Sequence, residues 1–483
     1  MSLEILGSRV LAPHYGSSVY VWGILITTFL TALAVGYWLG GRLADYRPHP
    51  AAVSLIVACA AVLILPAVVW GADLLRFVNG LGWDVRWSAL AASLVLFLPP
   101  SLALGMVTPF AVRISASLLE RVGSVSGRYS ALSAAGSILG TLLTAFVLIP
   151  AFPVANLLVG LALVLVLCAI LLMSSFPTIA VATLAAMACG AAALATRPPA
   201  SATGEKILFY GDTAYHHISV TELHRTRYMR FDNLTQTILS LEHPDRFLTN
   251  YEGSLLLSWA LRPSIRSVCE IGLGGASLPR AVARLLPDAS IVSVEIDPVV
   301  ADIARKYFLY QESPKVRTVI EDGRVFLTRS NESFDLIVLD AFNSTGVPFH
   351  LMTREFFEVV RKRLKPDGVF AANFIGKLMG TEGRLFWASY RTIRRQFGQV
   401  YVVSGELAAG DPNPQGTLIV LATVSGDPVT PEALLRNAQE LSARWRIPGM
   451  GALPSVTLHA PEVPVGTPEL TDSYAPVEAL QHF

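Results

Sequence analysis

From Val19 to Thr196 long apolar runs alternate with short polar breaks. A bilayer span needs about 20 mostly apolar residues. About six runs meet that length: Val19–Gly41, Ala51–Ala72, Trp87–Val112, Tyr129–Pro150, Ala155–Ser174 and Pro177–Thr196. They predict an all-α transmembrane domain over residues 1–197. The first run is too long, and too far from the start, for a secretory signal peptide. Gly36 and Gly40, and again Gly136 and Gly140, repeat at a spacing that lets helix backbones approach closely, a common feature of spans. Pro99-Pro100 should kink the third run, because each proline removes a backbone donor. Ser2–Ala12 has the look of the end of an amphipathic or membrane helix whose beginning would lie upstream, or of a segment at the interface. Glu4 and Arg9 favour the interface, since charges at membrane depth are costly.

The pattern then changes. Residues 198–205 form a Pro/Ser/Gly linker. Ile207–Tyr210, Ile218–Leu223, Tyr228–Phe231 and Thr235–Leu241 are short runs of β-branched and aromatic residues, which predict a small β-element over 206–245. Over 246–483 strand and helix patterns alternate. Strands are expected at Ser267–Ile271, Ile291–Glu295, Val316–Ile320, Phe334–Leu339 and Val369–Asn373. Helices are expected at Ser277–Leu286, Val299–Phe308 and Arg354–Leu364. Such alternation implies a mostly parallel sheet covered by helices, an α/β Rossmann-type domain that binds ligands at the C-terminal ends of its strands. The fold class is therefore multi-domain.

Composition supports this division. Of the 483 residues 53% are hydrophobic and 15% charged, against roughly 25% charged in a soluble protein. The deficit is confined to the apolar half. A net charge of +1 without a polybasic run gives no ground for nucleic-acid binding. Arg42 and Arg47 fill one loop, and Arg113, Arg121 and Arg128 fill or flank another. The positive-inside rule places both on the cytoplasmic side. Three more runs before Arg197 would then carry the C-terminal domain outward. Either one late run, within the uncharged Ala155–Thr196 stretch, does not cross, or the charge reading fails, or the domain faces outward; a cytoplasmic domain is the expectation adopted. The four cysteines show no metal-ligand spacing, so no metal is expected. His14, His224 and His350 have no partner at ligand spacing and are expected to be ordinary loop or interface residues.

Four motifs carry chemistry. Glu270-Ile-Gly-Leu-Gly-Gly-Ala-Ser277 follows a strand and opens a helix, where Gly272 and Gly274 allow close backbone approach to a ligand. Glu295 lies about 20 residues beyond that turn, at the next strand end, where a carboxylate can accept from ribose hydroxyls. The pair is more specific than either part. Asp297, followed by Pro298, is expected to cap the next helix. Glu321-Asp322-Gly323 ends the third strand, where an acid could accept from a base amine, although Asp-Gly is also an ordinary turn signal. Asp340-Ala-Phe-Asn343, in the loop after Leu336–Leu339, puts an acid and an amide at the ligand crevice.

On these residues, about 205–480 resemble the spermidine synthase (polyamine aminopropyltransferase) family, a branch of the S-adenosylmethionine (SAM)-methyltransferase-like Rossmann fold. The whole chain more closely resembles the bacterial membrane-fused spermidine synthase-like proteins. The matching pieces are Leu11-Ala-Pro-His-Tyr-Gly-Ser-Ser18, Gly36-Tyr-Trp-Leu-Gly-Gly-Arg-Leu-Ala-Asp45, Leu351-Met-Thr-Arg-Glu-Phe-Phe357 and Leu470-Thr-Asp-Ser-Tyr-Ala-Pro-Val-Glu478. The second piece also resembles a major-facilitator loop signature. The resemblance implies an inner-membrane, multi-pass homodimer in contact with lipid, acting on SAM or decarboxylated SAM and releasing 5′-methylthioadenosine. It implies that the glycine turn, Glu295, Asp322 and Gly323 hold the thioadenosyl part. His216 stands in place of a family glutamine, and Gln236 matches a second. Tyr215, Tyr251 and Asp472 match substrate positions, and Asp340 and Asn343 stand in the catalytic loop.

Two departures qualify this. Gly275 stands where the family has an aspartate that helps hold the aminopropyl ammonium. Asn343 stands where it has the loop's second acid. An attacking amine must lose a proton, and an amide cannot take it. Strict spermidine synthesis is therefore doubtful. Intramolecular cleavage or cyclisation of SAM, methyl transfer, and a nucleoside- or polyamine-regulated membrane transporter or sensor stay open as alternatives.

Overall fold

The computed structural model describes residues 1–15, 19–46, 48–115, 122–172, 204–232, 234–248, 250–262, 264–342, 346–378, 380, 383–404, 416–424, 429–445, 462–477 and 480. The chain divides into two compact units: 1–204 with 209–218, and 205–208 with 219–483.

In the first unit five helices are long and apolar enough to cross a membrane: Val19–Tyr46, Pro50–Val69, Val85–Ser115, Gly123–Leu148 and Val154–Leu171. The sixth expected run, Pro177–Thr196, and linker residues 198–203 lie outside the described residues. The first small-residue pair makes a close crossing. A Cβ on Gly36 would meet the Leu102 carbonyl, and one on Gly40 would stand 2.7 Å from the Met106 Cα. The reciprocal position, Gly105, lies 3.2 Å by the same measure from the Leu33 backbone. Glycine thus lets the two longest helices touch along their backbones. The second pair is split: a Cβ on Gly136 would meet nothing within 4 Å, whereas one on Gly140 would stand 2.9 Å from Ser2 Oγ. The helix Val85–Ser115 runs on through Pro99 and Pro100. Ser2–Tyr15 is a helix whose Leu3, Leu6, Leu11 and Tyr15 are buried on one face.

A small sheet follows, made of β1 (Lys206–Asp212), β2 (His217–Leu223), β3 (Thr226–Phe231) and β4 (Leu234–Ser240) in sequential order. It matches the four expected strands.

The second unit is built on seven strands: β5 (Ser267–Ile271), β6 (Ser290–Glu295), β7 (Val316–Ile320), β8 (Phe334–Leu339), β9 (Leu364–Gly376), β10 (Gln399–Ser404) and β11 (Gly416–Thr423). Their order is β10-β11-β9-β8-β5-β6-β7, with β5 to β9 parallel and β11 antiparallel to both its neighbours. All six residues of β8 are buried. A strand covered on both faces has no polar side, which is why Phe-Asp-Leu-Ile-Val-Leu is nearly continuous in apolar residues. One face packs Val268, Leu336, Val338, Ala371 and Ile419; the other packs Ile271, Ile337, Leu339, Phe370 and Val420. This is a Rossmann-like, mostly parallel sheet. Strand order reverses between β5 and β8, so the crevice opens beyond Ile271 and Leu339. β9 starts at Leu364, ahead of the expected Val369, because Leu364 pairs with Phe334 before a register shift.

Candidate active site

The turn after β5 closes on the end of β8. Gly272 has φ +97°, and a Cβ there would collide with the Asp340 carbonyl. The Asp340 amide donates to the Ile271 carbonyl at 2.9 Å, and the Gly272 amide to the Val294 carbonyl at 2.8 Å. Glycine is therefore required for this approach. Gly274 has φ +50° and Ala276 +59° before the helix Ser277–Leu285 begins. The Gly275 amide donates to Thr237 Oγ1 at 3.0 Å, and a Cβ on Gly275 would fall on the Thr237 methyl.

Buried carboxyls surround this turn. Glu295, 8% exposed, accepts from the Leu273 amide at one oxygen and from the Asp297 amide at the other, both at 3.0 Å. Burial pushes its carboxyl up, and those amide hydrogen bonds oppose the shift. Asp297 accepts from the Val299 amide at 3.0 Å and caps the helix Pro298–Tyr307, as its sequence position suggested. Glu270 accepts from Ser293 Oγ at 2.5 Å. Burial raises its carboxyl well above the usual range; Ser293 opposes this, and Asp340 and Glu295 add to it.

Asp322 is fully engaged. Its Oδ1 accepts from the amides of Arg324 and Val325, both at 3.0 Å, capping the helix Gly323–Arg329. Its Oδ2 lies 2.9 Å from His350 Nε2. That hydrogen bond to His350 is the main cause that holds the Asp322 carboxyl below its usual range. Asp340 accepts from Asn373 Nδ2 at 2.8 Å. Burial pushes Asp340 up to about 6, with the Asn373 bond opposing and the Glu252 charge adding. A carboxyl in that range exchanges protons near neutral pH. The amide oxygen of Asn373 is buried without a partner.

Residues 259–400 match the family model described as "Spermine/spermidine synthase domain". That match lies within the second unit and makes this region similar to such domains. A polyamine aminopropyltransferase from Vibrio vulnificus is 34% identical over 196 residues, 40% of this chain and 62% of that protein. A probable polyamine aminopropyl transferase from Bifidobacterium longum is 29% identical over 208 residues, 43% of this chain and 45% of that protein. The chain thus spans less than two thirds of the length of either relative. A solved spermidine synthase from Thermotoga maritima aligns at 23% identity over 51% of this chain and 88% of that one, with a TM-score of 0.40.

Within the second unit the sheet gathers Gly272, Gly274, Glu295, Asp322 and Asp340 at consecutive strand ends. Gly323 sits against Ile271, where a Cβ would strike the Ile271 side chain. Gln236 is half-buried on β4 beside Thr237; strand alternation sends the two side chains to opposite faces, and Thr237 is the one at the glycine turn. Tyr215 and His216 belong to the first unit, where the Tyr215 carbonyl accepts from Arg9 Nη1 at 3.2 Å. Burial, with the Arg9 charge adding, lowers His216 to about 4. Asn343 and the Tyr251 side chain lie outside the described residues. Asp472 is held by Arg324 at 2.8 and 2.6 Å and by Thr353 Oγ1 at 2.7 Å, and so pins the C-terminal segment beside the Asp322 helix. His350, expected to be an ordinary loop residue, is a partner of Asp322 instead. Thr237, Asn373 and Arg324 carried no signal in the sequence, since each acts through a distant partner.

Proposed function

We propose that the synthase domain binds the thioadenosyl part of SAM or decarboxylated SAM and transfers an alkyl group from its sulfonium, releasing 5′-methylthioadenosine. The observation that carries this reading is the placing of Glu295 and Asp322 at the ends of adjacent parallel strands, beside the glycine turn. Glu295 keeps lone pairs for ribose hydroxyls beyond the two amides it accepts, since an ionised carboxylate offers about four acceptor sites. Asp322 would accept from the adenine amine at the oxygen it shares with His350. Asp340 is the base. The attacking nitrogen forms a bond to the carbon beside the sulfonium, the carbon–sulfur bond breaks, and the electron pair stays on the neutral thioether. The nitrogen's proton goes to Asp340, whose raised affinity for it suits the task. Asn373 orients that carboxyl. The rest of the acceleration is positioning.

The domain limits proposed are 1–197, 198–205, 206–245 and 246–483. We read the first unit as a multi-pass anchor in a bacterial inner membrane, with the synthase domain on the cytoplasmic side of a homodimer. The test uses the purified full chain in detergent, given SAM or decarboxylated SAM with and without putrescine, and mass spectrometry of the products. Methylthioadenosine is expected with at least one donor. Glu295→Ala and Asp322→Ala are expected to lose methylthioadenosine binding; unchanged binding in both sinks the site. Binding without turnover would favour a nucleoside-responsive regulator.

A further inference from the structure

The lining of the turn at 275–280 bears on which sulfonium nucleoside enters, an inference that rests on the nucleoside reading above. Four observations converge there. Gly275 brings no acid, and Thr237 fills the space where a side chain at 275 would begin, fixed by the Gly275 amide on its hydroxyl at 3.0 Å. The helix Ser277–Leu285 has nine residues and starts after Ala276, which provides no side-chain cap, so its first N–H groups lack the acceptor a helix start usually receives. Ser277, at the first helical position, is 9% exposed, and its hydroxyl has no hydrogen-bond partner. Helical side chains lean toward the N-terminus, which directs that hydroxyl to the uncapped turn. Arg280 folds back on the same turn, its Nε donating to the Ala276 carbonyl at 3.3 Å and its Nη1 to the Pro244 carbonyl at 3.3 Å.

A cation at the positive end of a helix, beside free N–H groups and an unused hydroxyl, is an arrangement that a small anion completes. We propose that the 275–280 turn holds the carboxylate of an amino-acid tail, so that the domain takes SAM itself in preference to decarboxylated SAM. An amino-acid tail carries both signs, and both signs stand near the turn: donors at Ser277 and Arg280, and the Glu252 carboxylate, whose charge acts on Arg280 and on Asp340. An aspartate at 275 would repel the carboxylate; Gly275 removes that repulsion, and the Thr237 methyl keeps the position closed to an acid.

The experiment measures equilibrium binding of methylthioadenosine, SAM and decarboxylated SAM to the full chain in detergent. SAM is expected to bind about tenfold more tightly than decarboxylated SAM, the factor that about 1.4 kcal/mol gives and the low end of a charge-assisted hydrogen bond. Ser277→Ala is expected to weaken SAM about five- to tenfold and to leave methylthioadenosine and decarboxylated SAM within twofold. Gly275→Asp combined with Thr237→Gly, which makes room for the new side chain, is expected to reverse the preference. If methylthioadenosine binds and decarboxylated SAM binds as tightly as SAM or more so, this proposal falls alone. If Ser277→Ala weakens all three ligands equally, the hydroxyl is structural and the proposal also falls. If methylthioadenosine does not bind, the nucleoside reading falls and takes this one with it.

Discussion

Replacing Asp340 by asparagine should separate stability from chemistry. The side chain is half-buried at the end of β8, accepts from Asn373, and is pushed up to about 6 by burial. An aspartate in an unfolded chain titrates near about 3.9. The folded state therefore binds the proton more tightly. The stability linked to this group is fully present below about pH 4 and is lost as pH rises through about 6. A difference of about two units amounts to about 3 kcal/mol at 1.36 kcal/mol per unit. Asparagine does not ionise and keeps an oxygen for Asn373. At pH 7.5 Asp340→Asn should be more stable than the parent by about 1–3 kcal/mol, the lower values allowing for solvent screening of a partly exposed group. At about 2–4 °C per kcal/mol, the melting temperature should rise by about 2–12 °C. At pH 4.5 the gap should shrink to about a third, because the folded parent is then protonated while its unfolded chain is still largely ionised, and it should close only below about pH 4. Methylthioadenosine release should be lost at both pH values. The assay is intrinsic tryptophan fluorescence on the detergent-solubilised full chain, with product measured on the same preparation. A lower melting temperature for the variant at pH 7.5, or a gap independent of pH, would refute the reasoning.

Other consequences follow from single contacts. Arg324→Ala should release residues 470–474, seen as faster amide hydrogen exchange there, at a cost near 1 kcal/mol because Asp472 is partly exposed; since Arg324 lowers the Asp472 carboxyl, the parent tether should persist above about pH 4 and loosen only as pH falls through the depressed value. Gly323→Ala places a methyl on the Ile271 side chain and should cost about 1–3 kcal/mol, with Ile271→Ala in the same chain costing less than the two single changes combined; full additivity would show that the contact is absent. Burial pushes the Cys269 thiol up, so it should resist alkylation at pH 8 until the second unit unfolds; native labelling at that position would contradict its burial.

What was legible in the sequence is what depends on near neighbours. Period and length gave the strands β5 to β8, because a fully buried strand must be apolar on both sides. The glycine turn and Glu295 were legible because strand, turn and strand fall in one continuous unit. The partners that decide what each acid can do were not legible, because they come from far along the chain: Thr237 reaches Gly275 across 38 residues, His350 reaches Asp322 across 28, and Asp472 reaches Arg324 across 148. Asp322 shows the consequence. In sequence it is either a turn residue or a base acceptor. In the fold it is a helix cap at one oxygen and a histidine partner at the other, so a nucleobase amine must share Oδ2 with His350. Gly275 shows the reverse. In sequence it is a family acid lost. In the fold it belongs to a fitted pair, since Thr237 both accepts from its amide and occupies the space beyond it. A position merely emptied of its acid would leave room to restore it; this one does not. The departure from the family pattern is therefore built into the small sheet as well as into the glycine turn, and restoring an aspartate requires a change at both.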